Sequence, residues 1–145
     1  MKPIEDRRLA RVARICVALP EAVRQDMDRH AAFTVRKRTF AYFLNDHHGD
    51  GIVGINCKVL SGDNAKLVAE HPDRFYMPAY LGSKGWVGLR LDRDPTDWAE
   101  VTELLRGSYW LVAPKRLAES VAREAEEEEE EQPKTKARSA SKRRS

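Results

Sequence analysis

Seven residues of this chain have the types and placement to neutralise phosphate or stack on a base: Arg36, Lys37, Arg38, Lys58, Lys84, Trp86 and Arg90. The last three sit in or beside a strand-like run, Lys84-Gly-Trp-Val-Gly-Leu-Arg-Leu-Asp92. From Trp86 the side chains alternate, so Val87, Leu89 and Leu91 are expected on a core face and Trp86, Gly88 and Arg90 on the opposite one. Lys84 belongs to the Gly-Ser-Lys-Gly turn just before it. Cations release counterions from a nucleic-acid backbone, and an exposed aromatic ring stacks on a base. The competing expectation is that a loop or a second copy covers Trp86 and that the cations only solvate the surface.

Other chemistry is weaker. Asp46-His-His-Gly-Asp50 sets two histidines beside two aspartates, but neighbouring residues rarely converge on one ion without ligands from elsewhere, and no further cluster supplies them. No metal site is expected. Asp92, Asp94 and Asp97 fit a turn and a helix cap better than an acid/base pair. The chain has no Gly-x-x-x-x-Gly-Lys-Ser/Thr loop, no dinucleotide fingerprint and no Gly-x-Ser-x-Gly elbow. No catalytic residues and no cofactor are therefore expected. Cys16 and Cys57 fall on apolar faces and read as buried free thiols. No apolar run approaches the roughly 18 residues of a membrane span, and the start, Met-Lys-Pro-Ile-Glu-Asp-Arg-Arg, is charged where a leader would be apolar. The expectation is a cytoplasmic protein.

The elements that must position these residues can be read in order. Residues 4–19 form an amphipathic helix with Leu9, Val12, Ala13, Cys16 and Leu19 inward and several arginines outward, stopped by Pro20. Residues 22–58 read as strands. Ala32–Arg36 and Thr39–Leu44 form a hairpin over Lys37-Arg38, with Phe33, Val35, Phe40 and Tyr42 sharing one face and Phe43 on the other if the loop has two residues. Val53, Ile55 and Cys57 alternate with Gly54, Asn56 and Lys58. Ser61 or Asp63 caps a short helix to His71. Asp94-Pro95-Thr96-Asp97 opens the last helix, whose core side is Trp98, Val101, Leu105, Tyr109 and Val112.

Charge divides the chain of 145 residues. Its net charge is +3, with 26 Lys/Arg against 23 Asp/Glu. Residues 1–118 are read as one domain, supported by a 41% hydrophobic fraction. Residues 119–145 read as a disordered tail, acidic over 119–132, where Glu126–Glu131 is unbroken, and basic over 133–145.

The opening Ala18-Leu19-Pro20-Glu21, the strand Phe33-Thr34-Val35-Arg36 with Phe40-Ala41-Tyr42, the run Tyr80-Leu81-Gly82-Ser83-Lys84-Gly85-Trp86-Val87 and the late Ser108-Tyr109-Trp110-Leu111-Val112-Ala113-Pro114-Lys115 together resemble the MmcQ/YjbR family of small bacterial proteins. The likeness spans about residues 5–116. It implies an α+β fold of two layers, an antiparallel sheet with helices packed on it in the order α-β-β-β-β-α-β-α, similar in shape to a double-wing DNA-binding domain and to secretion chaperones. The functional expectation is a non-enzymatic module that binds nucleic acid, DNA first, mainly through phosphate. The alternative is a protein-interaction or chaperone-like module that binds a peptide or itself as a dimer.

Overall fold

The computed structural model describes residues 6–28, 30–46, 49, 51–93 and 95–121. Asp6 starts the first helix, α1 (Arg7–Val17), by accepting the Arg8 backbone N–H at 2.7 Å. The helix buries Val12, Ala13 and Cys16 of the expected stripe, with Leu9 half-buried and Leu19 buried just beyond the helix end.

Four strands follow as a meander: β1 (Ala22–Met27), β2 (His30–Val35), β3 (Arg38–Asn45) and β4 (Val53–Lys58). After α2 (Asp63–Glu70), the two-residue β5 (Phe75–Tyr76) and β6 (Trp86–Arg90) complete an antiparallel six-stranded sheet of order β1-β2-β3-β4-β6-β5. Helix α3 (Trp98–Val112) then packs on β3 and β4 beside α1, giving the expected two-layer α+β architecture. Between helices and sheet lie Phe33, Val35, Phe40, Phe43, Ile55, Cys57, Val87, Leu89, Val101, Leu105 and Tyr109. Each such large apolar side chain contributes about 1.5–3 kcal/mol by leaving water. Two long-range hydrogen bonds seat α3: Tyr109 Oη donates to Pro20 O at 2.7 Å, and Ser108 Oγ to Lys58 O at 2.6 Å. The Tyr109 ring also meets Phe40 edge to face at 5.5 Å.

Three local expectations need correction. Val35 pairs with Arg38, so the tight turn is Arg36-Lys37, one residue earlier than expected. Both turn residues have positive φ, 51° and 68°. That is the primed geometry that suits the twist of a hairpin, reached here without the usual Gly or Asn. The register also shifts: Phe33 faces Ala41 whereas Thr34 faces Thr39, which leaves Phe40 as the extra residue of a bulge. Phe40 and Phe43 therefore both reach the core, and Tyr42 falls on the other face. The caps differ too. Gly62, at φ 88°, precedes α2 with no side-chain bond, so neither Ser61 nor Asp63 caps it. Asp97 caps α3 by accepting from the N–H groups of Ala99 and Glu100. Asp94 lies outside the described residues.

Helix continues beyond residue 118 among the described residues. Residues 115–121 are helical, and Val121 packs on the core. The expected tail from 122 onward lies outside the described residues, as do His47, His48 and Asp50. Among the described residues no helix is long and apolar enough to cross a membrane, and no group of three metal-ligating side chains occurs.

Candidate nucleic-acid interface

The pairing register decides which candidate residues come together. Arg38 begins β3, Lys58 ends β4 opposite Trp86, and Trp86 begins β6. The Arg36-Lys37 turn and Lys84, in a 3-10 turn over Gly82–Lys84, lie at the same end of the sheet. Strands are spaced about 4.8 Å apart, so β3, β4 and β6 set this basic end along roughly 10 Å. Arg90 is not part of it. It pairs with Gly54 at the opposite end, and four residues of strand separate it from Trp86 by about 13 Å.

Local ion pairs divide the cations further. Arg90 donates from Nε and Nη2 to both oxygens of Asp92 at 2.9 Å each. This fork, outweighing partial burial, holds the Asp92 carboxyl below its ordinary pKa. At the basic end, Arg36 forks onto Glu21 in the same way; both are exposed, and the pair lowers the Glu21 pKa. Lys37, Arg38 and Lys84 are exposed and make no ion pair with a described residue. Lys58 is half-buried.

Trp86 is placed on the face opposite the core, as the alternation predicts, yet it is only 8% exposed. The expectation of a free stacking platform fails there. Its ring lies 5.8 Å from Tyr42, the residue that the β3 bulge turned outward. Asn64 of α2, itself buried, donates from Nδ2 to Trp86 O at 3.0 Å and to Gly82 O at 2.9 Å. Tyr76 covers the middle of the same face. A Cβ on Gly88 would come within 2.3 Å of the Tyr76 ring, and Tyr76 Oη bonds Asn56 Oδ1 at 3.0 Å. An absent side chain at position 88 is what lets the ring lie there.

The most exposed aromatic at this end, among the described residues, is a different residue. Tyr80 is 85% exposed with φ of 66°, two residues before the 3-10 turn that carries Lys84. Sequence reasoning passed over it in favour of the indole. The available signal was its setting: it precedes Leu-Gly-Ser-Lys-Gly and has no alternating partners to draw it into a strand.

The buried thiols match expectation. Burial pushes the Cys57 pKa up to about 11, and raises that of Cys16 as well. A separate apolar groove of about 280 Å³ lies between α3 and the end of β4, with Leu60 and Trp110, both more than half exposed, on its walls.

No curated protein matches the chain. Among solved structures it is similar to a Deinococcus radiodurans protein with a DUF419 domain, at 27% identity and a TM-score of 0.58, over 76% of this chain and 80% of that one. The family model named YjbR matches residues 17–111. That span takes in the meander, β5, β6, the basic end and nearly all of α3, and the chain belongs to the YjbR family.

Proposed function

We propose that this domain is a non-enzymatic nucleic-acid-binding module, DNA being the first candidate, that grips the phosphate backbone with the basic end of its sheet. The observation that carries the reading is the set Lys37, Arg38 and Lys84, exposed and without ion pairs to described residues: Lys37 in a hairpin turn with two non-glycine residues at positive φ, Arg38 at the start of β3 beside it, and Lys84 at the end of the 3-10 turn. Left-handed backbone of this kind costs about 1–3 kcal/mol per residue and concentrates at sites of function. Tyr80, 85% exposed, is the ring that stacks on a base in this reading. Three acids beside the far end are already engaged: Asp92 with Arg90, Glu100 with Arg74, and Asp97 with a helix cap.

Salt-titrated binding of the full chain to duplex and single-stranded DNA tests this. Each phosphate contact on a duplex contributes about −0.9 to the slope of log K against log salt. The triple variant Lys37→Gln, Arg38→Gln, Lys84→Gln is expected to flatten the slope by about 2–3. Comparing variant with wild type in the full chain cancels any contribution from the basic residues 133–145. An unchanged slope removes the proposed interface.

The apolar groove favours a second reading, a protein-interaction module that takes a short apolar peptide against Leu60 and Trp110. Calorimetry with such peptides on the wild type and on Trp110→Ala is its test, and equal heats reject it.

A further inference from the structure

β1 is an edge of the sheet, and among the described residues it pairs only with β2. Met27 pairs with His30 across a two-residue connection, so those two exchange both backbone hydrogen bonds, and alternation assigns the same to Gln25 with Ala32 and Val23 with Thr34. Arg24 and Asp26 therefore turn N–H and C=O away from β2. Ala22 has the same parity and agrees: its N–H goes to Leu19 O at 3.1 Å. Natural edges are commonly blunted by Pro, by charged side chains, Lys above all, or by a bulge. Ala-Val-Arg-Gln-Asp-Met has no Pro and no Lys, its two charges are of opposite sign, and its pairing with β2 is continuous. Val23 and Met27 are exposed along it, at 52% and 39%.

We propose that two copies of this chain join edge to edge through β1, antiparallel about a two-fold axis at Gln25, to make one continuous sheet. Charge selects the register. An axis at Arg24 sets that cation against its own copy, and an axis at Asp26 sets acid against acid. The axis at Gln25 places Arg24 opposite Asp26 of the second copy, twice, on the two residues whose backbone groups point outward. It also brings Val23 opposite Met27 of the second copy on the other face. Within one chain Arg24 Nε also donates to Asp26 Oδ1 at 2.7 Å. Opposite charges directly across an antiparallel pair stabilise it and like charges destabilise it. The inference deepens the interaction-module reading and needs nothing from the basic end.

Sedimentation equilibrium of the full chain tests it. Mass is expected to rise from 16.6 kDa towards twice that value as concentration increases. Arg24→Asp or Asp26→Arg alone sets like charges opposite each other twice and is expected to weaken the dimer about ten-fold or more. The double reversal restores the pairing and brings the dimer back, because Asp at 24 then meets Arg at 26 of the second copy. In this register the two Gln25 residues form a non-hydrogen-bonded pair with Cα atoms about 4.5 Å apart, within disulfide reach. Gln25→Cys is therefore expected to cross-link under mild oxidation, with Cys16 and Cys57 buried and out of reach. A constant monomer mass, or a dimer indifferent to both single reversals, overturns the proposal. Neither result touches the groove, whose peptide binding is read separately by Trp110→Ala.

Discussion

The two ends of the sheet carry cations in different states. At the far end two arginines are held in forks, Arg90 by Asp92, and Arg74 by Glu100 at 3.0 Å through both Nε and Nη2, while Arg93 between them is exposed. These side chains are about one-fifth to one-third exposed, and the Arg74–Glu100 pair links the approach to β5 with the start of α3. At the near end Lys37, Arg38 and Lys84 point from turns and strand starts into solvent. Bidentate pairs in partly dry surroundings act as structural ties, whereas hydrated cations keep their charge available for a partner. The same residue types thus act mainly as ties at the far end and mainly as exposed charge at the near end, where Arg36 alone of the four exposed cations named is forked, onto Glu21.

The aromatics of the near end sharpen the contrast most. Trp86→Ala removes a buried ring from beside Tyr42 and is expected to cost about 3–5 kcal/mol in denaturant unfolding. Tyr80→Ala is expected to stay within about 0.5 kcal/mol while weakening single-strand binding by roughly 1–3 kcal/mol. Equal stability losses would erase the distinction between covered and exposed rings.

Next in size is the far end. Asp92→Ala leaves Arg90 without its carboxylate and is expected to destabilise by about 1–3 kcal/mol, with no change in the salt slope of DNA binding. The native Asp92 and Asp6 carboxyls lie below their ordinary value of 3.8, held there by Arg90 and Arg8. Depressed carboxyl pKa values add stability above the unfolded pKa and lose it as pH falls through the folded one. Thermal midpoints should accordingly drop as pH is lowered below about 4, and Asp92→Asn should make that drop shallower. A wild type and variant with parallel acid profiles would show that the fork is not a tie.

The smallest effect comes from the turn. Lys37→Gly relieves a positive φ and is expected to raise stability by about 1 kcal/mol while flattening the salt slope by about 0.9. Stability gained together with binding lost is the signature of a strained residue kept for contact. A gain with unchanged binding would assign the strain to the hairpin alone.

Much of the scaffold was legible because period-two patterns survive packing: Val87, Leu89 and Leu91, and Val53, Ile55 and Cys57, all lie where alternation puts them. The bulge at Phe40 was not. One inserted residue reverses which of Tyr42 and Phe43 faces the core, and two apolar rings give a composition argument nothing to choose between. Alternation also told the side of Trp86 but not its exposure, because the ring that meets it, Tyr42, is turned to that face by the bulge in β3. Arg90 was misjudged for a nearer reason: Asp92, two residues on, shares its side of the chain and neutralises it. The basic end was legible as residue types, and strand register supplied the grouping that excludes Arg90.

The long reach of the α3 contacts has a consequence during synthesis. β1 to β4 follow one another in the chain and can close hairpin by hairpin, with α1 already made. Phe40, Phe43, Ile55 and Cys57 then wait for α3, whose Ser108 bonds a carbonyl 50 residues earlier and whose Tyr109 bonds one 89 residues earlier. At about 5–20 residues per second, a ribosome leaves that half of the sheet bare for several seconds. During that interval the growing chain shows its stickiest surface to the cell, and any helper it needs must act before Val112 emerges.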